Sequence, residues 1–99
     1  MTINDLLPLV NQKAASAAAL GNSIRFDVGD DSIHVDGTGD SNIVSTEKKE
    51  ADCTVSVSSE DFHQLLTGDL NPMAAVMAGK VKISGDMSVA MKLPAIFNS

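Results

Sequence analysis

The chain has 99 residues, 43% of them apolar, with thirteen acidic against seven basic side chains and a net charge of −6. That length fits one domain with a single core, residues 1–99, and leaves no room for a second. The negative balance opposes contact with phosphate backbones and with anionic membrane leaflets, so no nucleic-acid partner is expected. The lone Cys53 cannot make an internal disulfide and no Cys/His spacing fits zinc, so neither a metal nor a cofactor is expected. No apolar run approaches the ~18 residues of a membrane span. The Ala-rich residues 14–20 resemble the core of a signal peptide, but Asp5 lies where its basic flank would be. A reducing, cytoplasmic location is the expectation.

In chain order, Thr2 and Asp5 read as a helix start, and Leu6, Val10, Ala14 and Ala17 form an apolar stripe running to Leu20 and Gly21. Pro8 interrupts it, which predicts a kink, or a turn followed by a helix that begins at Pro8. Residues 23–28 alternate, with Ile24, Phe26 and Val28 on one strand face and Arg25 and Asp27 on the other. Gly29 and Asp30 turn the chain into residues 32–36, where Ile33 and Val35 repeat the pattern and complete a hairpin. A brief third strand follows around Ile43 and Val44, then a solvated charge run at 47–50. Asp36, Thr38, Asp40, Asn42 and Glu47 fall at calcium-loop spacing, but Ser41 stands where that turn requires glycine, so a hairpin loop is the reading. Residues 51–57 form a fourth strand with Cys53, Val55 and Val57 inward.

The local signals agree best over residues 58–93. Ser58 caps a helix, Asp61 follows three residues on, Phe62, Leu65 and Leu66 share one face, and Gly68 ends it. Asn71 caps a second helix with Pro72 at its first position and Gly79 after its end. Met73, Ala74, Ala75, Val76, Met77 and Ala78 between them predict burial on most of its circumference. Residues 80–84 alternate, placing Val81 and Ile83 inward and Lys80 and Lys82 outward. Asp86 then caps a last short helix carrying Met87, Val89, Ala90 and Met91, which Pro94 stops. His34 and His63 each sit off the apolar face of their element. The pattern is α+β, with helices gathered on one sheet face.

Residues 67–93, TGDLNPMAAVMAGKVKISGDMSVAMKL, resemble the sterol carrier protein 2 domain family, also called non-specific lipid transfer proteins. Its members carry Thr-Gly, then Asn-Pro or Asp-Pro, a buried helix, Gly-Lys with a short strand, Gly-Asp or Gly-Asn, and a helical run ending in Lys-Leu. Here these are Thr67, Gly68, Asn71, Pro72, Gly79, Lys80, Gly85, Asp86, Lys92 and Leu93. The strand at 51–57, with Asp52 and Cys53 near its start, is also similar to the family's. Residues 1–49 agree in element order alone. The resemblance implies a five-stranded, mostly antiparallel sheet covered on one face by helices: one helix, three strands, a crossover, a strand, helices and a last strand. It further implies an apolar tunnel between sheet and helices that accepts fatty acids, acyl-coenzyme A, phospholipids or sterol-like lipids for transfer or presentation. The chain departs from eukaryotic members in ending Phe97, Asn98, Ser99 without a peroxisomal Ser-Lys-Leu, and a cytosolic module of bacterial type is the natural expectation.

On that reading the lining comprises Phe26, Val55, Phe62, Leu66, Met73, Val76, Met77, Val81, Ile83, Met87, Met91, Ile96 and Phe97. Methionine is unbranched and polarizable, which suits a wall that reshapes around its guest, but it also fills gaps in ordinary cores. A C16 chain offers ~12 kcal/mol gross at about 0.8 kcal/mol per methylene, and association removes at least ~4. Useful affinity therefore needs no specific polar contact. Lys80, Lys82 and Lys92 could meet a polar head, and residues 94–99 are the candidate lid, with transient membrane contact during exchange. A ligand-free, homodimerising accessory subunit is the rival reading. An enzyme is not expected, since no acid, base or nucleophile is paired by spacing.

Overall fold

The computed structural model describes residues 3–97. Helix α1 (Ile3–Ser16) is followed by strands β1 (Ser23–Val28), β2 (Asp31–Asp36) and β3 (Ile43–Ser45), then by β4 (Cys53–Val57). Helices α2 (Ser59–Thr67) and α3 (Pro72–Met77), strand β5 (Val81–Gly85) and the short helices α4 (Met87–Ala90) and α5 (Leu93–Phe97) complete it. The five strands make one sheet in the order β3-β2-β1-β4-β5. Only β1 and β4 run parallel, and the other three neighbouring pairs are antiparallel. The expected class, α+β with a five-stranded and mostly antiparallel sheet, is the one observed.

Strand pairing sorts the side chains into rows across the sheet. Ile33, Phe26, Val55 and Ile83 face one another in register, as do Asp31, Val28, Val57 and Val81 in a second row. The apolar members of these rows, with Val35, Ile24 and Cys53, line the inner face, and Leu6, Val10, Phe62, Leu65, Leu66, Ala75, Val89, Leu93, Ile96 and Phe97 from the helices close over it, while Asp31 at the row's end is exposed. The alternate positions form a polar outer face of His34, Arg25 and Thr54 beside Ser32, Asp27 and Ser56. Because β4 joins β1 and not β3, residues 46–52 must cross back over the sheet, and they do so on that polar face. Arg25 donates to the Lys49 carbonyl and His34 Nε2 to the Glu50 carbonyl, each at 3.2 Å. His34, off the apolar face as expected, is therefore buried under the crossing strand of chain.

Three local expectations are corrected. Helix α1 runs from Ile3 through Pro8 to Ser16, so it neither starts at the proline nor reaches Leu20. The ring removes one hydrogen bond, to the Asn4 carbonyl, and both residues are exposed, so water can take its place while Leu6, Val10 and Ala14 hold the helix to the core. The Thr2 cap lies outside the described residues. Helix α3 is not buried all round: Pro72 and Ala75 are covered, while Met73 and Met77 are 48% and 88% exposed. It lies at the β5 edge and packs mainly on β5 and α5, so one side meets protein and the other meets solvent. Pro94 does not end a helix but sits in the first turn of α5, where a missing amide hydrogen costs nothing.

The caps of the other helices are as expected. Ser58 Oγ accepts from Asp61 N–H at 3.2 Å and Gly68 closes α2 at φ 86°. Asn71 Oδ1 accepts from Met73 N–H and Ala74 N–H at 2.9 and 3.3 Å. The end of α1 is set from a distance. Asn42 Nδ2 donates to the carbonyls of Ala14, Ala17 and Ala18 at 3.2, 3.4 and 3.0 Å, and its Oδ1 accepts from Leu20 N–H at 3.1 Å. One amide thus satisfies the last turn of α1 and turns the chain toward β1. Asn42→Ala should cost about 1–3 kcal/mol by stranding these partly buried groups. Urea unfolding measures it, and an unshifted midpoint would show that the amide holds nothing.

Candidate functional site

The apolar layer between the inner sheet face and helices α2 and α5 is the candidate site. Each wall is fixed by local sequence. Strand alternation turns Phe26 and Val55 inward, the Ser58 cap sets the rotation of α2 so that Phe62 and Leu66 face the sheet, and α5 supplies Ile96 and Phe97. The chain's three phenylalanines meet there, one each from β1, α2 and α5. Phe26 and Phe62 lie 5.0 Å apart between ring centroids, Phe26 and Phe97 5.8 Å, and Phe62 and Phe97 6.2 Å, the last two edge-on. Such contacts favour one arrangement of rings beyond the area they bury.

Where the resemblance implies a tunnel, the three rings and their neighbours fill the space, and no cavity opens among the described residues. The thirteen candidate lining residues separate into three groups. Phe26, Val55, Phe62, Leu66, Val81, Ile96 and Phe97 are core, each 4% exposed or less. Val76 and Ile83 are half-buried at its margin, under the β5 edge. Met73, Met77, Met87 and Met91 are not brought to the interior at all, being 48%, 88%, 58% and 75% exposed.

Most of the candidate lid is part of a helix. Residues 93–97 form α5, with Leu93, Ile96 and Phe97 buried, while Asn98 and Ser99 lie outside the described residues. Lys92, directly before α5, donates from Nζ to the Leu20 carbonyl at 2.9 Å and to Asn22 Oδ1 at 2.6 Å. It is engaged there and not free at a tunnel mouth. Asn22 in turn donates to Asp52 Oδ2 at 3.4 Å, which also accepts from Ser23 N–H. Lys80 and Lys82 are exposed, as a solvated strand face requires. Cys53 is buried in the row beside Ile24, and burial, with the Asp86 charge adding, pushes its thiol up from the ordinary value. That suits a small core side chain. The sequence reading missed Asn42 and the Lys92 clasp, whose partners lie 22 to 28 and 70 to 72 residues away.

Solved structures share this arrangement. Sterol carrier protein 2 from Yarrowia lipolytica in its apo form superposes with a TM-score of 0.76 at 21% identity, covering 94% of this chain and 87% of that one. Palmitated SCP2L2 from Aedes aegypti superposes with a TM-score of 0.75 at 18% identity, covering 100% and 96%. At these identities the likeness establishes the fold, and the class it defines is that of small domains with helices packed on one face of a five-stranded sheet. The chain belongs to the SCP-2 sterol transfer family, whose model it matches over residues 3–98. Human sterol carrier protein 2 is 44% identical over 55 residues, which are 56% of this chain and 10% of that protein. The chain thus spans about a tenth of the length of such curated relatives.

Proposed function

We propose that residues 1–99 act as one lipid-binding domain that carries or presents a lipid bearing an acyl chain or sterol-like body, without catalysing a reaction itself, in the cytoplasm. Fatty acid, acyl-coenzyme A and phospholipid all fit, since the site's recognition is apolar. The observation that carries this reading is the Phe26, Phe62 and Phe97 cluster, an aromatic layer in a chain of the lipid-transfer family, one of whose rings is supplied by a five-residue helix. Helices that short have no stability of their own and depend on the side chains they bury. Displacing α5 exchanges the burial of Leu93, Ile96 and Phe97 for that of the guest, so the closed interior is compatible with uptake. The floor row Ile33, Phe26, Val55 and Ile83 leads the chain of the guest toward the β5 edge, where Ile83 is already half-exposed. A related domain, SCP2L2 of Aedes aegypti, is known in palmitated form, which supports an acyl guest.

The test is mass spectrometry of lipids extracted from the purified protein, joined to titration with a fluorescent fatty acid. Co-purifying acyl lipid and saturable binding are expected. A protein that yields no lipid and binds no probe overturns the reading. The filled interior favours one rival, a self-packed accessory subunit that dimerises, and native mass spectrometry showing an empty dimer would establish it.

A further inference from the structure

Among the described residues, four of the five large apolar side chains left in solvent are methionines, and they lie on or next to two short helices flanking one strand. Met73 and Met77 are four residues apart on α3, which leads into β5, and Met87 and Met91 are four apart on and just after α4, which leaves it. At that spacing each pair shares one side of its helix. Both helices pack on β5, an edge strand, and α4 packs on β4 as well, so the two pairs flank one edge of the sheet, one before the strand and one after it. The charge is distributed unevenly along the chain. Residues 70–99 hold Lys80, Lys82 and Lys92 against Asp86 alone, a net +2, whereas residues 1–69 hold four bases and twelve acids, a net −8. Asp86 is occupied as the α4 cap, its Oδ1 accepting from Ser88 N–H and Ser88 Oγ. Ser88 holds its carboxyl below the ordinary carboxylate range.

We propose that this edge is a docking face for an anionic lipid bilayer, with Met73, Met77, Met87 and Met91 entering the acyl boundary and Lys80 and Lys82 meeting the headgroups; the inference rests on the carrier reading and deepens it. Protein interfaces are anchored by tryptophan, tyrosine and arginine. This chain has no tryptophan or tyrosine, and its three phenylalanines are core. Its one arginine, Arg25, is paired with Asp27 at 3.0 Å on the outer sheet face. Thioether chains without fixed shape suit disordered lipid tails, and a basic fringe on an otherwise acidic molecule orients it toward an anionic surface. Helix α3 also packs against α5, so docking would place the bilayer beside the proposed entry to the site.

Flotation of the full chain with phosphatidylcholine vesicles, with and without phosphatidylglycerol, tests the face. Binding is expected with phosphatidylglycerol, falling in high salt and in its absence. Met77→Ser with Met91→Ser, the two most exposed positions, should weaken it by about tenfold per methionine. Lys80→Ser with Lys82→Ser should weaken it by about fivefold per lysine. No flotation with phosphatidylglycerol, or unchanged flotation of the methionine variant, overturns the proposal. So does a dimer in sedimentation velocity that the methionine variant dissolves, since the face then belongs to a second copy. Fatty-acid titration without vesicles separates the two ideas. Retained fatty-acid binding with no flotation refutes the docking face alone, and flotation without fatty-acid binding refutes the carrier reading alone.

Discussion

Phe97→Ala is expected to weaken the fold and strengthen fatty-acid binding in the same protein. The ring is 3% exposed and touches both Phe26 and Phe62, so its removal should cost about 3–5 kcal/mol. Against the ~5–15 kcal/mol that holds small domains together, that loss is large. The vacated volume lies where the carrier reading seats the guest. If about three more methylenes settle there, at ~0.8 kcal/mol each, affinity should rise by some fiftyfold. Urea unfolding and a fluorescent fatty-acid titration give the two numbers, and Phe97→Leu should move both less far in the same directions. A purely structural ring would lower stability and leave affinity unchanged or weaker. That outcome would remove α5 from the uptake route.

Gly85→Ala should be strongly destabilising, although it adds a single methyl group. Gly85 closes β5 opposite Cys53 with φ 98°, a backbone region that side chains rarely adopt. An added Cβ would stand 2.6 Å from the Asp52 carbonyl oxygen and 3.3 Å from Cys53 Cα. Both are backbone atoms, held by the ladder and by Asp86 N–H donating to the Asp52 carbonyl at 2.8 Å, so neither can swing away. Strain of about 1–3 kcal/mol adds to overpacking of similar size. A midpoint shift in urea equivalent to about 2–6 kcal/mol is expected. Hydrogen exchange should accelerate first along β5, whose end the substitution pries off β4. A shift below about 1 kcal/mol would show that the edge strand can slide to make room.

What the sequence made legible was local. The cap at Ser58, the break at Gly68, the Asn71-Pro72 start and the alternation of residues 23–28 each rest on neighbours within a few positions, and each is found in the structure. The inward identity of Phe26, Val55 and Phe62 follows from the same periodicities. Exposure depends on which element lies alongside, and that was not local. Helix α3 reads as apolar all round, yet the strand order leaves it at an edge with solvent on one side. Pro94 reads as a stop because nothing nearby announces that Leu93, Ile96 and Phe97 will find a sheet to pack on. The ending of α1 lay in Asn42, a residue that by its own neighbours belongs to a turn. The thirteen lining candidates divided along this line: strand and α2 positions went inside, and the methionines of the edge helices did not.

The strap over the outer sheet face has a further consequence for how the molecule could be divided. Residues 3–45 contribute the contiguous strands β3-β2-β1 and residues 53–97 contribute β4-β5, so the only ladder shared by the two halves is the parallel one between β1 and β4. Cutting the backbone between Glu47 and Glu50 severs no strand pair and leaves each fragment with its own hairpin or strand pair and its own helices. Reassociation would then rest on that seam, on the packing of α1 against α2 and α5, on the Lys92 clasp and on the aromatic layer, making the protein a natural substrate for fragment complementation, with lipid uptake as the reporter.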